Sequence, residues 1–210
     1  ITYSRTFEVP KAWGGRRVLL HFGAVDWEAK VSLNGKELGT HRGGYDEFSF
    51  DVTDALKASG GQELTVAVFD PTDTGSQPRG KQVLRPGGIM YTPTSGIWQT
   101  VWLEPVDEAH IESLLLVPDI DAGCLRLTVT GKGTVEATAT DNGKPVAKAN
   151  GDAGTELKLE IRDVKLWSPD SPHLYDLNVS LKSGRKTIDE VTSYFGMRKI
   201  SLGKDEGGLT

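Results

Sequence analysis

Apolar and polar residues alternate with a period of two along most of the chain, and no stretch sustains the period of a long amphipathic helix. Trp27, Ala29, Val31 and Leu33 alternate with Glu28, Lys30 and Ser32, which is the pattern of a strand with one buried and one wet face. Asn34-Gly35 follows at once. Both positions tolerate positive φ, so the pair predicts a tight hairpin into Lys36-Glu37-Leu38. Leu64, Val66 and Val68 repeat the alternation against Glu63, Thr65 and Ala67, and Trp98, Thr100 and Trp102 against Gln99, Val101 and Leu103 read as a further strand. Only residues 51–58 imitate a helix. With Thr53 or Asp54 as cap and Ser59-Gly60-Gly61 as stop, they predict a single turn.

Residues 71–94 break the rhythm: they are rich in Pro and Gly, carry polar and basic side chains, and show no sustained alternation. Loops of that length inside a compact domain usually serve a site or a neighbour, so this excursion is the expected functional edge of the first module. A second set of strands starts near Ile111. Leu125, Leu127 and Val129 alternate, then Val135, Ala137 and Ala139, then Leu157, Leu159 and Ile161, then Tyr175, Leu177, Val179 and Leu181, with turns at Asp141-Asn142-Gly143 and Ser183-Gly184. With residues 111–117 and 186–192, about seven short strands at sandwich spacing result, as in an immunoglobulin-like domain. A charged connector around Pro105-Val106-Asp107 sets the expected boundary. Tyr175 is expected to turn its ring inward and to need one partner for its hydroxyl.

Composition narrows the function. The formal charge of −5, with no basic half, argues against a nucleic-acid partner. No apolar run is long enough to span a bilayer, and no signal-peptide pattern opens the chain at Ile1, so the true start is expected upstream. The lone Cys124 sits in an alternating run and reads as a small strand residue; His21, His41, His110 and His173 are scattered, so neither a metal site nor a cofactor is expected. Glycines 23, 35, 39, 43 and 44 fall at strand ends, where turn geometry accounts for them.

Three segments, in order, carry a likeness. The first is Gly23-Ala24-Val25-Asp26-Trp27-Glu28 through Asn34-Gly35-Lys36-Glu37-Leu38-Gly39, with Gly43-Gly44-Tyr45-Asp46-Glu47-Phe48. The second is Ser95-Gly96-Ile97-Trp98-Gln99-Thr100-Val101-Trp102-Leu103-Glu104. The third is Leu166-Trp167-Ser168-Pro169, Pro172-His173-Leu174-Tyr175 and Phe195-Gly196-Met197-Arg198. Together they resemble the front of family 2 glycoside hydrolases, the group of β-galactosidases, β-glucuronidases and β-mannosidases. The resemblance implies an all-β chain: a sugar-binding jelly roll over residues 1–106, an immunoglobulin-like sandwich over 107–200, and a linker, 201–210, towards a catalytic (β/α)8 barrel.

In such enzymes, the likeness implies, one Glu acts as acid/base and another as nucleophile, about 5 Å apart, in a retaining mechanism. Both belong to the barrel, where the acid/base Glu follows an Asn. Here Asn34, Asn142 and Asn150 precede Gly and Asn178 precedes Val, so no catalytic residue is assigned to this chain. Asp26, Asp46, Glu47, Asp51, Asp70 and Asp73 read as solvated faces or Asx turns. The expected role is that of a non-catalytic piece of a β-glycosidase, partnered by the barrel and by a carbohydrate, with a periplasmic or extracellular setting by family analogy only. Sugar contact falls to the excursion: Arg79, Lys81 and Gln82 offer donors for hydroxyls or a carboxylate, and Tyr91 a ring for stacking. Arg79 and Lys81 would equally serve to bridge to the barrel surface. Where better-known β-galactosidases place an acidic sugar-contacting residue, this chain has Ile89-Met90-Tyr91-Thr92-Pro93-Thr94, which leaves the sugar open. The rival is a free-standing lectin-like module. It would need an exposed aromatic platform, yet Trp27, Trp98, Trp102 and Trp167 lie in strand patterns that place them in the core, leaving Trp13 in a loop-like stretch.

Overall fold

The computed structural model describes residues 1–204, 207 and 208; residues 205, 206, 209 and 210 of the expected linker lie outside the described residues. The chain divides into two units, Ile1–Glu108 and Ala109–Thr210.

In the first unit, nine strands follow one another: β1 (Thr2–Phe7), β2 (Arg17–Phe22), β3 (Val25–Asp26), β4 (Glu28–Leu33), β5 (Lys36–Arg42), β6 (Phe48–Asp51), β7 (Gln62–Phe69), β8 (Gly96–Ile97) and β9 (Val101–Val106). They form antiparallel sheets ordered β1-β7-β4-β5 and β6-β2-β9, plus the short pair β3-β8. Alternation explains the packing. Val18, Leu20 and Phe22 of β2 are buried in one cluster with Ala29, Val31 and Leu33 of β4 and with Leu64, Val66 and Val68 of β7, while their polar neighbours face out. Asn34 takes φ 54° and Gly35 φ 81°, as a two-residue hairpin requires. Asn34 does more than turn the chain: its amide donates to Ala55 O and to Gln62 Oε1, both at 2.8 Å, and its Oδ1 accepts Glu63 N–H. Gln62, only 2% exposed, thereby has its acceptor matched, and its own amide donates to Lys57 O and Gly60 O.

The expected helical turn is a 3₁₀ turn, Thr53–Ala55, without a capping side chain of its own. Instead the Asp51 carboxylate accepts the Thr53 N–H at 3.0 Å and its hydroxyl at 2.5 Å. Burial alone would raise the Asp51 carboxyl, but these bonds and the Arg17 guanidinium outweigh it and hold the group below the ordinary carboxylate value.

The strand expected across Trp98, Thr100 and Trp102 is corrected. The chain leaves β8 after Ile97 and re-enters β9 only at Val101, because Trp98 and Gln99 turn their N–H groups to Ala24 O and Gly23 donates to Thr100 O. The odd positions face inward on both sides of it: Ile97, Val101 and Leu103 all pack against the core. In the resumed strand Leu103 pairs with the buried Leu20, and Trp102 pairs with His21 on the outer face. Trp98 is 52% exposed and Trp102 42%; neither is core.

The second unit holds seven strands: β10 (Ser113–Asp119), β11 (Cys124–Thr130), β12 (Thr134–Asp141), β13 (Lys144–Asp152), β14 (Glu156–Glu160), β15 (Tyr175–Ser183) and β16 (Lys186–Phe195). Sheets β10-β11-β14 and β13-β12-β15-β16 enclose Leu125, Leu127, Leu159, Val135, Leu177, Val179 and Leu181. β13 was not foreseen: its segment Lys-Pro-Val-Ala-Lys-Ala-Asn-Gly-Asp is poor in β-branched and aromatic residues, and it exists because β12 offers it an edge to pair with. Tyr175, 1% exposed, stacks on Phe195 at 5.3 Å and accepts the Lys165 N–H at 2.8 Å through its hydroxyl. Two of the sequence motifs meet beside it. Leu166 bridges Met197, the Trp167 N–H donates to Met197 O at 3.0 Å, and the Arg198 guanidinium lies 4.6 Å from the Trp167 ring. Trp167, expected in the core, is half-buried under that cation.

Candidate functional site

Four segments converge at one end of the first unit: the end of β3, the loop between β5 and β6, the excursion between β7 and β8, and the turn after β8. β3 is fixed against β8 through the pairs Val25–Ile97 and Asp26–Gly96. The Trp98 indole N–H then donates to Gly44 O at 2.7 Å, which ties the β5–β6 loop to the end of β8. Tyr45 meets Trp98 edge to face, with centroids 5.9 Å apart. Tyr45 is 58% exposed, so the two rings form an open aromatic rim. Gly44 is needed here for close approach rather than for turn geometry. A Cβ at this position would stand 2.8 Å from Asp26 Oδ1, nearer than real side chains come.

The excursion is ordered by its own polar groups, in the manner of a compact loop. Asp70 accepts the Thr72 N–H at 2.7 Å and the Ser95 hydroxyl, so it is an Asx turn, as expected, and also a clamp across the base of the loop. Asp73 holds Leu84 N–H through Oδ2, and its carbonyl takes Arg79 Nη1 at 2.9 Å. Gln82 Oε1 accepts both the N–H and the hydroxyl of Thr94, at 2.6 and 3.0 Å. Tyr91 donates its N–H to Lys81 O at 2.8 Å and accepts Val83 N–H in return.

Asp26, Asp70, Thr72, Pro78, Arg79, Gln82 and Pro93 line one narrow cleft of about 10 Å³. Of the four sequence-predicted contact residues, Arg79 and Gln82 reach this cleft. Gln82 already spends its carbonyl oxygen on Thr94, and one guanidinium nitrogen of Arg79 is spent on Asp73. Lys81 and Tyr91 stand next to each other instead, with the ammonium 6.0 Å from the ring centroid, and Tyr91 is 63% exposed. Asp26, expected to be a solvated turn residue, is half-buried, and its carboxyl is held above the ordinary carboxylate range, first by burial and then by the charge of Asp70. Sequence reasoning also missed Tyr45 and Trp98. The signal available was the interruption at 98–100, visible as Trp-Gln-Thr ahead of a second apolar pair.

Carboxylates and a guanidinium in a cleft below the roughly 300–1,000 Å³ of ligand pockets, beside two exposed rings, are equipped to grip the edge of a polyhydroxylated ligand rather than to enclose it. Asp70 is engaged by two donors, so the pair is not arranged as a free acid and nucleophile flanking a bond. Among the described residues, no group of three or more His, Cys, Asp or Glu side chains is placed to hold a metal, and no helix is long and apolar enough to cross a membrane.

Comparison with known proteins agrees with this architecture. A family model described as glycosyl hydrolase 2 galactose-binding domain-like matches residues 1–98, and one described as glycosyl hydrolases family 2 matches residues 104–198. A β-galactosidase of Thermoanaerobacter pseudethanolicus is 27% identical over 98% of this chain but over 29% of its own length. A β-glucuronidase of Bacteroides fragilis is 26% identical over 98% of this chain and 32% of its own. The solved β-glucuronidase of Lactobacillus rhamnosus superimposes with a TM-score of 0.79 at 27% identity, over 97% of this chain and 36% of that one. The β-glucuronidase of Ruminococcus gnavus, at 21% identity and a TM-score of 0.80, shares the fold. The chain spans between 20% and 37% of the length of the curated relatives it matches. With both modules in the family's order and nearly the whole chain accounted for, this protein belongs to glycosyl hydrolase family 2, as a galactose-binding-like β-sandwich followed by an immunoglobulin-like one.

Proposed function

We propose that the chain is the non-catalytic front of a retaining β-glycosidase, supplying a sugar-contacting jelly roll and a sandwich that supports a catalytic barrel. One observation carries the reading: two family models in the family's order cover residues 1–98 and 104–198, while the enzymes that match run on for about twice that length or more. The division at residues 106 and 107 and the use of 201–210 as a linker belong to the same proposal. Exposed apolar side chains support a covering partner: Leu84, Ile89 and Met90 on the excursion, and Leu166, Leu174 and Tyr194 in the second unit. The sugar-contacting set is Arg79, Lys81, Gln82 and Tyr91, extended by Asp26, Tyr45 and Trp98.

The test is direct. The 210-residue chain is assayed on p-nitrophenyl β-galactoside, β-glucuronide and β-mannoside, and no turnover above buffer is expected; the reading frame carried on through a barrel is expected to turn over at least one of them. Turnover by the 210 residues alone, or an inactive extended frame, overturns the proposal. A second reading, a lectin-like module acting without a hydrolase, is favoured by the Tyr45–Trp98 rim. Micromolar binding of a neutral oligosaccharide by the isolated chain, lost on Trp98→Ala, would favour it.

A further inference from the structure

A second cleft lies at the opposite pole of the first unit. β7 runs from Gln62, which lines this cleft, to Phe69, just before Asp70. Eight residues at about 3.3 Å each therefore separate it from the excursion by roughly 25 Å. Its two walls are the segment between β1 and β2, which contains a 3₁₀ turn at Lys11–Trp13, and the segment from Thr53 to Gly60. Both walls are anchored. Thr53 Oγ1 accepts Val18 N–H at 2.9 Å, and Gln62 pins the second wall through its bonds to Lys57 N–H, Lys57 O and Gly60 O. The space between them is about 830 Å³, within the range of ligand sites.

The lining has a definite chemistry. Pro10 and Trp13 supply flat apolar surface; Lys11, Arg16 and Lys57 supply three cations, against Glu8 as the one carboxylate. Arg16 is engaged by Asp107 at 3.0 Å, whereas Lys11 and Lys57 have no carboxylate within ion-pair distance among the described residues. In a chain of formal charge −5, this cleft is locally cationic. Trp13 packs against the core yet also lines the cleft. No acceptor takes its indole N–H among the described residues, unlike that of Trp98. An indole and two ammonium groups lining one cleft match a pyranose that carries a carboxylate: its C–H face would lie on the indole, a hydroxyl would take the N–H, and the acid would meet the lysines.

We infer that the cleft between the Glu8–Arg16 and Thr53–Gly60 segments is an accessory binding site for uronate-bearing oligosaccharides, separate from the excursion end and with Trp13 as platform. It would hold an acidic chain while chemistry proceeds elsewhere, raising local substrate concentration.

Calorimetric titration of the 210-residue chain with tetragalacturonate, and with cellotetraose as the neutral control, tests this. The acidic oligosaccharide is expected to bind at least about tenfold tighter than the neutral one, and to weaken as salt rises from 50 to 500 mM, since exposed charges are screened. Trp13→Ala is expected to abolish binding. Because Trp13 also supports the core, a Lys11→Gln, Lys57→Gln double variant, altered only at exposed side chains, is the second arm, with a loss of about five- to tenfold. Lys144→Gln with Lys148→Gln removes the same charge from exposed positions of β13 in the second unit and is expected to leave the titration unchanged, which separates this site from an effect of net charge. No binding of tetragalacturonate, equal binding of both oligosaccharides, an unaltered affinity in the Lys11 and Lys57 double variant, or an equal loss caused by the Lys144 and Lys148 changes would each overturn the inference.

Discussion

Gly44→Ala probes the contact on which the excursion end depends. The new methyl would stand 2.8 Å from Asp26 Oδ1 and 3.2 Å from its Cγ, so the carboxyl must retreat by about 0.6 Å to reach the 3.4 Å of ordinary contact. Asp26 is half-buried beside Asp70, and its backbone is fixed by pairing with Gly96. The atoms in the way are the end of a side chain, which can turn aside, so the cost lies at the low end of overpacking, about 1 kcal/mol. Asp26→Ala removes the obstructing atoms and keeps only the Cβ, at an ordinary 3.6 Å, so Gly44→Ala made in that background is expected to be close to neutral. The double-mutant cycle should show a coupling of about 1 kcal/mol. Urea unfolding followed by tryptophan fluorescence reads the right unit, since Trp13, Trp27, Trp98 and Trp102, four of the five tryptophans, precede residue 109. Each kcal/mol corresponds to about 4–8 °C in the melting temperature of a domain of this size. Additive penalties, with Gly44→Ala costing the same whether or not Asp26 is present, would refute the steric account.

Asp26→Asn reads the electrostatics of the same place. A carboxyl whose folded pKa is raised favours the folded state below its unfolded pKa and loses that contribution as pH rises through the folded value, so the variant should be more stable than the parent at pH 7 and level with it near pH 3 in urea titrations. Tyr175→Phe keeps the stacked ring and deletes the acceptor for Lys165 N–H; a loss of about 1–2 kcal/mol is expected, against about 3–5 kcal/mol for Tyr175→Ala, by circular dichroism melts. Arg198→Ala uncovers the Trp167 ring and should cost about 0.5–1 kcal/mol, with a change in the exposure of Trp167 to acrylamide quenching.

The excursion end separates what is local in the sequence from what is not. Residues 71–94 stood out because absence of alternation is a local signal, and Arg79 and Gln82 within it do reach the cleft. Asp26 gave no such signal. Its burial comes from Gly44, which closes on it from another loop, and its neighbour Asp70 is distant in sequence. The core positions expected for Trp98 and Trp102 fail for a related reason. Along 98–103 both phases of the alternation carry apolar side chains, so the period fixes a strand but not which face turns inward.

The residue order alone determined that the chain is two all-β modules with Asn-Gly hairpins, and it carried the family through three ordered motifs, because side-chain period, turn chemistry and short motifs are written in contiguous residues. Tertiary structure decided the rest. Pairing Leu103 with Leu20 turned Trp102 out to solvent, β12 made a strand of an unpromising segment by lending it an edge, and loops far apart in sequence brought Asp26, Asp70 and Arg79 into one cleft. Burial and the choice of face are properties of partners across the sheet, and no local run of residues specifies its partner.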